Sequence, residues 1–173
     1  MTEFETATVH DIVYYGDERL HRRCKPVTGF DADLKQLIDD MFASMYAANG
    51  VGLAANQIGV DLQVFVIDCR DDDGGRLCGH MINPTLHDQP PPRELNVGFE
   101  GCLSVPGPHA EVARTQTATV SGFDMTGEPL TMTSDGEAAR CLQHETDHLH
   151  GIVYVDKLSK RVRKQVLAEA ELS

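Results

Sequence analysis

The sequence predicts an α+β fold: short antiparallel strands packed around a central helix bearing a His-Glu-x-x-His motif, with one helix before the strands and one after. Three observations carry this. Helical periodicity is strong near the start of the chain and again near its end. Between these regions lie short β-branched and aromatic runs separated by Gly and Pro. The βαβ alternation of a parallel sheet is absent.

The first helix is expected from about Asp31 to Asn49, because Leu34, Leu37, Ile38, Met41, Phe42, Met45 and Tyr46 recur at helical spacing. Asp31 can cap its start and Gly50 its end. A Gly-rich loop follows from Gly50 to Gly59, and Gln63-Val-Phe-Val-Ile-Asp68 then reads as a strand. Asp71-Asp-Asp-Gly-Gly75 is a polar turn, and Gln89-Pro-Pro-Pro92 is a break that neither a helix nor a central strand accepts. Short strands fit Gly79–Asn83, Leu95–Phe99 and Ala110–Arg114. Thr117–Asp124 and Pro129–Thr133 read as a hairpin around Met125-Thr-Gly-Glu128. A second helix should run from about Asp135 to His150 and stop at Gly151. A third should begin near Ser159, an N-cap residue, and turn Val162, Val166, Leu167 and Ala170 inward. No repeat and no linker divides the chain, so one catalytic domain over residues 1–173 is expected.

A length of 173 residues suits one compact domain. The formal charge of −12 should repel nucleic acid and anionic membrane, so no specific DNA and no membrane is expected as a partner. The first residues, Met1-Thr-Glu-Phe-Glu, are acidic and lack the apolar core of a signal peptide. No run approaches the length of a membrane span. A cytoplasmic location is the expectation. The cysteines at 24, 69, 78, 102 and 141 are odd in number and lack zinc-ribbon or redox spacing, so most should be free thiols.

His144-Glu-Thr-Asp-His148 is the chemically informative pattern. Residues four apart share a helix face, so both imidazoles can bind one ion, while Glu145 can reach a water beside it. The ion makes that water acidic, and the carboxylate can take and return its proton as general base and acid. A catalytic site needs a third protein ligand. One metzincin-like position is filled by Tyr154 and not by His. Glu169 lies at nearly the spacing of a thermolysin-like third ligand, which keeps an HExxH metalloprotease open. An upstream ligand is the other option, with Cys102 the leading candidate.

Three segments converge on a family. Gly50-Val-Gly-Leu-Ala-Ala-Asn-Gln57, Glu100-Gly-Cys-Leu-Ser104 and Gln143-His-Glu-Thr-Asp-His-Leu149 resemble, in order, the three signature motifs of bacterial-type peptide deformylases. The similarity runs from about Val13-Tyr-Tyr-Gly-Asp17 to Val153-Tyr154-Val155 and covers most of the chain. The resemblance implies metal ligands Cys102, His144 and His148. The implied reaction is hydrolysis of the N-formyl group from the initiator methionine of nascent polypeptides, releasing formate. It implies Fe²⁺ as the ion in vivo, with Zn²⁺, Ni²⁺ or Co²⁺ accepted in preparations; a thiolate ligand suits all four. Glu145 is the implied general base, with the Gln57 amide and the Leu103 backbone N–H as oxyanion donors. Gly50, Val51, Gly52 and Gly101 would meet the extended peptide, and Val51 and Cys141 would line the methionine pocket.

The resemblance also implies that Arg114 pairs with Glu100 and Asp147 near the ligands; an unpaired surface Arg is the alternative. Two departures bear on substrate. Glu137 stands where many relatives carry an apolar pocket residue, and would either make the pocket polar or snorkel outward. His109 stands where several carry an Arg that touches the peptide. Lys157, Lys160, Arg161, Arg163 and Lys164 concentrate positive charge near the C-terminus, which fits docking on ribosomal RNA or simply a solvated helix face. His10, His21, His80, His87, His109 and His150 lack a partner at ligand spacing and are expected to be surface or locally bonded residues.

Overall fold

The computed structural model describes residues 6–173, so the acidic stretch at residues 1–5 lies outside the described residues. Among the described residues there are three α-helices: α1 (Ala32–Ala47), α2 (Gly136–Leu149) and α3 (Lys160–Glu169). Seven strands accompany them: β1 (Gly52–Ala54), β2 (Val64–Arg70), β3 (Arg76–Leu86), β4 (Leu95–Cys102), β5 (Val105–Thr115), β6 (Thr117–Phe123) and β7 (Pro129–Asp135). All named pairings are antiparallel. The fold is the expected α+β arrangement, with α2 against the sheets and a helix at either end.

The strands form two sheets, one ordered β1-β2-β3-β6-β7 and a separate two-stranded ribbon of β4 and β5. Strand β2 explains why the first sheet holds two helices. Val64 and Val66 join the core of α1, with Leu34, Ile38, Met41 and Met45. Phe65, Ile67 and Cys69 point the other way, into the core with Ala138, Ala139 and Leu142 of α2. A strand buried on both faces must be apolar at consecutive positions, as Val64-Phe-Val-Ile67 is.

The ends of α1 are a partial surprise. The Asp31 carboxylate accepts from the Leu34 N–H at 3.0 Å, as a cap should. At the other end the left-handed residue is Asn49 (φ 56°), not Gly50. Asn tolerates that region, which frees Gly50 for a packing role. Tyr46 leaves the expected stripe: it is exposed, and its hydroxyl donates to Asp68 at 2.8 Å. In α3, Ser159 caps the first turn as expected, and Val166 and Ala170 are buried, but Val162 is 39% exposed.

Two elements fell inside the expected Gly-rich loop. Residues Gly52–Ala54 pair with Phe65–Ile67 as the edge strand β1, and Ala55–Ile58 form a turn of 3-10 helix. Three residues are too few to give a readable periodicity, so only the partner strand reveals β1. Among the described residues no helix is long and apolar enough to cross a membrane.

Candidate active site

Helix α2 is buried along most of its length although half of its buried residues are polar: Arg140, Gln143, His144, Glu145, Thr146 and His148. Buried polar side chains persist only with partners, and the β4–β5 ribbon supplies many of them. Gln143 exchanges hydrogen bonds with the backbone N–H and C=O of Thr115, both at 3.1 Å. His144 Nδ1 pairs with Glu100 Oε1 at 2.5 Å. The ribbon ends at Cys102, after a register shift between Glu100 and Cys102 that swings the thiol toward the helix.

Cys102 Sγ, His144 Nε2 and His148 Nε2 therefore converge. Sγ lies 3.3 Å from His148 Nε2, and the two Nε2 atoms are 3.1 Å apart. All three donors fall within 4.8 Å of one another, and no other such group of three His, Cys, Asp or Glu donors occurs among the described residues. A tetrahedral ion with bonds of about 2.0–2.3 Å places its ligands about 3.3–3.6 Å apart, so the spacing fits a metal. Burial drives the His148 pKa well below its ordinary value, which keeps that ring neutral, as a ligand must be. Burial also opposes charge on His144, but Cys102 and Glu100 outweigh it and hold its pKa well above the usual range. An arriving cation would displace that proton.

Glu169, the alternative third ligand, is exposed at the end of α3 and bonded to Gln165 Nε2 at 3.2 Å. Arg114 holds both oxygens of Glu100: Nη2 donates at 2.6 Å to Oε1, the oxygen that also meets His144, and Nε to Oε2 at 3.1 Å, while Nη1 reaches Asp147 at 2.6 Å. Arg114 is thus buried and paired, not a free surface residue. Burial would raise the Glu100 pKa, but His144 and Arg114 more than offset it and keep the carboxylate ionised.

A cleft of about 510 Å³ opens over the donors. Gly50, Val51, Gly52, Gln57, Gly101, Cys102, Leu103, Cys141, His144 and Glu145 all line it, while His148 lies fully buried behind. Gln57 is held in one orientation: its Oε1 accepts from Ala54 N–H at 2.9 Å, which turns Nε2 toward Ser104 Oγ (3.1 Å) and Cys102 Sγ (3.5 Å). Val51 stands at the mouth, 60% exposed. The Cys141 thiol is pushed well above its ordinary pKa by a hydrogen bond with Cys69 and by burial, so it serves as a neutral wall. Gly101 leaves room for the His109 ring and Gly50 for the Leu103 side chain. Burial pushes the Glu145 carboxyl up to about 7, near the value wanted in a general base.

These features match a known group. The polypeptide deformylase family model matches residues 9–164. The chain belongs to the peptide deformylase family. Peptide deformylase 1 of Streptomyces avermitilis is 54% identical over 166 residues, covering 95% of this chain and 77% of that protein. Peptide deformylase 1 of Corynebacterium efficiens is 46% identical, covering 92% and 93% of the two chains. Among solved structures, a peptide deformylase from Legionella pneumophila superposes with a TM-score of 0.86 at 41% identity over 95% of this chain and 94% of its own. The Ehrlichia chaffeensis deformylase in complex with actinonin does so with a TM-score of 0.86 at 37% identity, over 95% and 96%.

Within this family frame, Glu137 takes the milder alternative: its side chain is 67% exposed at the cleft rim. His109 sits exposed over Gly101. Two of the five basic residues near the C-terminus already have partners within the chain: Lys157 pairs with Asp147 at 3.3 Å, and Arg163 donates to the Val155 and Asp156 carbonyls. The remaining histidines behave as expected, for example His10 on Asp40 and His80 accepting from the Met125 N–H. Sequence reasoning missed three residues. Ser104 holds Gln57 Nε2, Asn56 Nδ2 donates to the His148 carbonyl at 2.7 Å, and Arg140 grips the ribbon. Arg140 alone left a readable signal: it lies four residues before His144, on the same helix face.

Proposed function

We infer that the chain is a metal-dependent hydrolase that removes the N-formyl group from the initiator methionine of nascent polypeptides. The observation that carries this is the convergence of Cys102, His144 and His148 donors under Gln57 and Glu145 in one peptide-sized cleft. Cys102, His144 and His148 are the ligands in this reading, and Fe²⁺ is the ion proposed in the cell, with Zn²⁺, Ni²⁺ or Co²⁺ able to replace it. When bound, the ion acidifies a water and polarises the formyl carbonyl. Glu145 takes the proton of the attacking water and passes it to the leaving amine, so formate and a free amino terminus result. Gln57 Nε2 and the Leu103 N–H donate to the oxyanion as the formyl carbon becomes tetrahedral. Gly50, Val51, Gly52 and Gly101 bind the extended peptide, with Cys141 on the wall of the methionine pocket.

A single catalytic domain spanning residues 1–173 and a cytoplasmic location complete the proposal, together with ribosome docking through the basic residues of the C-terminal segment. The exposed Lys160, Arg161 and Lys164 are the groups available for that contact. Reversing them to Glu should weaken ribosome binding and its salt dependence; unchanged binding excludes the contact. The reaction itself is tested by formate release from formyl-Met-Ala-Ser with anaerobically loaded Fe²⁺. Loss of release in Glu145→Ala with metal retained is expected. A fully metallated wild-type protein that releases no formate overturns the assignment.

A further inference from the structure

We propose that Arg140 is a positioning residue that sets the distance between the Cys102 arm and the histidine helix, and so holds the three-donor site in register. The donors come from two bodies that share no sheet hydrogen bonds: Cys102 from the β4–β5 ribbon, His144 and His148 from α2. Something must fix their separation to a few tenths of an ångström for three donors to meet one ion.

The Arg140 guanidinium spans that gap. Nη1 donates to Glu100 Oε2 at 3.0 Å and to the Val112 carbonyl at 2.7 Å. Nη2 donates to the Asn96 carbonyl at 2.9 Å and to Asn96 Oδ1 at 3.1 Å. One side chain from the helix thus holds both ribbon strands at three residues, in a fixed planar fork that Lys cannot reproduce. It also shares Glu100 Oε2 with Arg114, whose Nε donates to that oxygen at 3.1 Å, and Glu100 orients His144.

Two further observations favour a positioning role over ordinary packing. Arg140 is 4% exposed, yet its Nε has no hydrogen-bond acceptor; the Glu137 carboxylate is 3.7 Å away. A buried cation left partly unsatisfied is costly, and an apolar side chain would fill the same volume more cheaply. The ribbon is also shaped for it: a Cβ on Gly98 would come within 3.0 Å of Arg140 Nη2. A glycine inside a strand weakens it, which is accounted for when another group must approach that closely.

The inference rests on Cys102, His144 and His148 being the ligands, and the test separates the two claims. Metal-free protein is titrated with Co²⁺ against a competing chelator, and the thiolate-to-cobalt absorption is recorded. Wild type binding one Co²⁺ with that absorption supports the ligand set; its absence, with Cys102→Ala indistinguishable from wild type, removes the basis of the inference. Arg140→Met should then bind Co²⁺ about 10–100-fold more weakly, with a weakened or shifted absorption, and Arg140→Lys should fall between. Gly98→Ala, whose Cβ would press on the guanidinium at 3.0 Å and on Asn96 Oδ1 at 3.3 Å, should move affinity in the same direction. It decides the matter should Arg140→Met fail to fold. Lowered melting temperatures with wild-type affinity and spectrum would assign Arg140 a purely structural role and overturn the proposal.

Discussion

The α-carbon of Gly52 stands against the carboxylate of Glu145: a Cβ on Gly52 would lie 2.9 Å from Glu145 Cδ, closer still to Oε1, and 3.0 Å from Cys141 Sγ. The edge strand β1 can approach α2 this closely only because position 52 has no side chain. Gly52→Ala should therefore displace the Glu145 carboxylate and lower kcat by about 100-fold, the scale expected when a reacting group moves by about 1 Å. The proposed ligands Cys102, His144 and His148 are not among the three atoms nearest that Cβ, so bound metal per chain should stay at the wild-type value. Retained activity would mean that Glu145 moves aside without consequence, and would remove it as the general base.

Gln57 offers a second test because its orientation is fixed by the Ala54 N–H on one side and Ser104 on the other. With Oε1 occupied, only N–H donors face the site. Gln57→Ala should cost about 10²–10³ in kcat, the usual effect of losing one oxyanion donor, with KM little changed. Gln57→Glu should do worse at neutral pH, since it brings an acceptor to a place where negative charge develops. Steady-state kinetics on a formylated tripeptide would read both.

Glu145 also makes a prediction about stability in the metal-free protein. Burial raises its folded-state pKa to about 7 from an ordinary 4.5, so the folded state prefers the neutral acid. Its contribution is complete below about 4.5 and is lost as pH rises through 7, because ionisation then opposes folding. Glu145→Gln keeps the shape and cannot ionise. The metal-free variant should match metal-free wild type near pH 4.5 and exceed it at pH 8 by up to about 3 kcal/mol. Urea unfolding at the two pH values tests this; an equal difference at both would show that ionisation of Glu145 is not responsible.

What could be read in advance follows from where the information sits. The motif His144–His148 and the stripe along α1 depend on spacing within one element, so the sequence displays them directly. The ends of β1, β3 and β5 depend on what they pair with, and periodicity underestimates them: β3 extends to Arg76 and Leu86 where alternation is visible only from Gly79 to Asn83. Arg114 could not be separated from a surface residue by its own neighbours, because its partners Glu100 and Asp147 come from β4 and α2. Asn56 and Ser104 were invisible for the same reason. They act through the His148 carbonyl and Gln57, contacts that only the folded chain creates.

The state of His144 gives a final test. Its Nδ1 faces Glu100 and its Nε2 faces His148 and Cys102, and the two acidic partners hold its pKa well above the ordinary histidine value despite burial. At pH 7 the metal-free ring therefore carries two protons, and the one on Nε2 must leave before that nitrogen can bind an ion. Metal binding should release at least one proton per ion at pH 7. It follows by linkage that apparent affinity falls as pH drops, with at least a tenfold loss per pH unit while His144 remains protonated in the free protein. Calorimetric titration with Zn²⁺ in buffers of different ionisation enthalpy measures the release directly. Heats independent of the buffer would mean that no proton is displaced, and that His144 is neutral before the metal arrives.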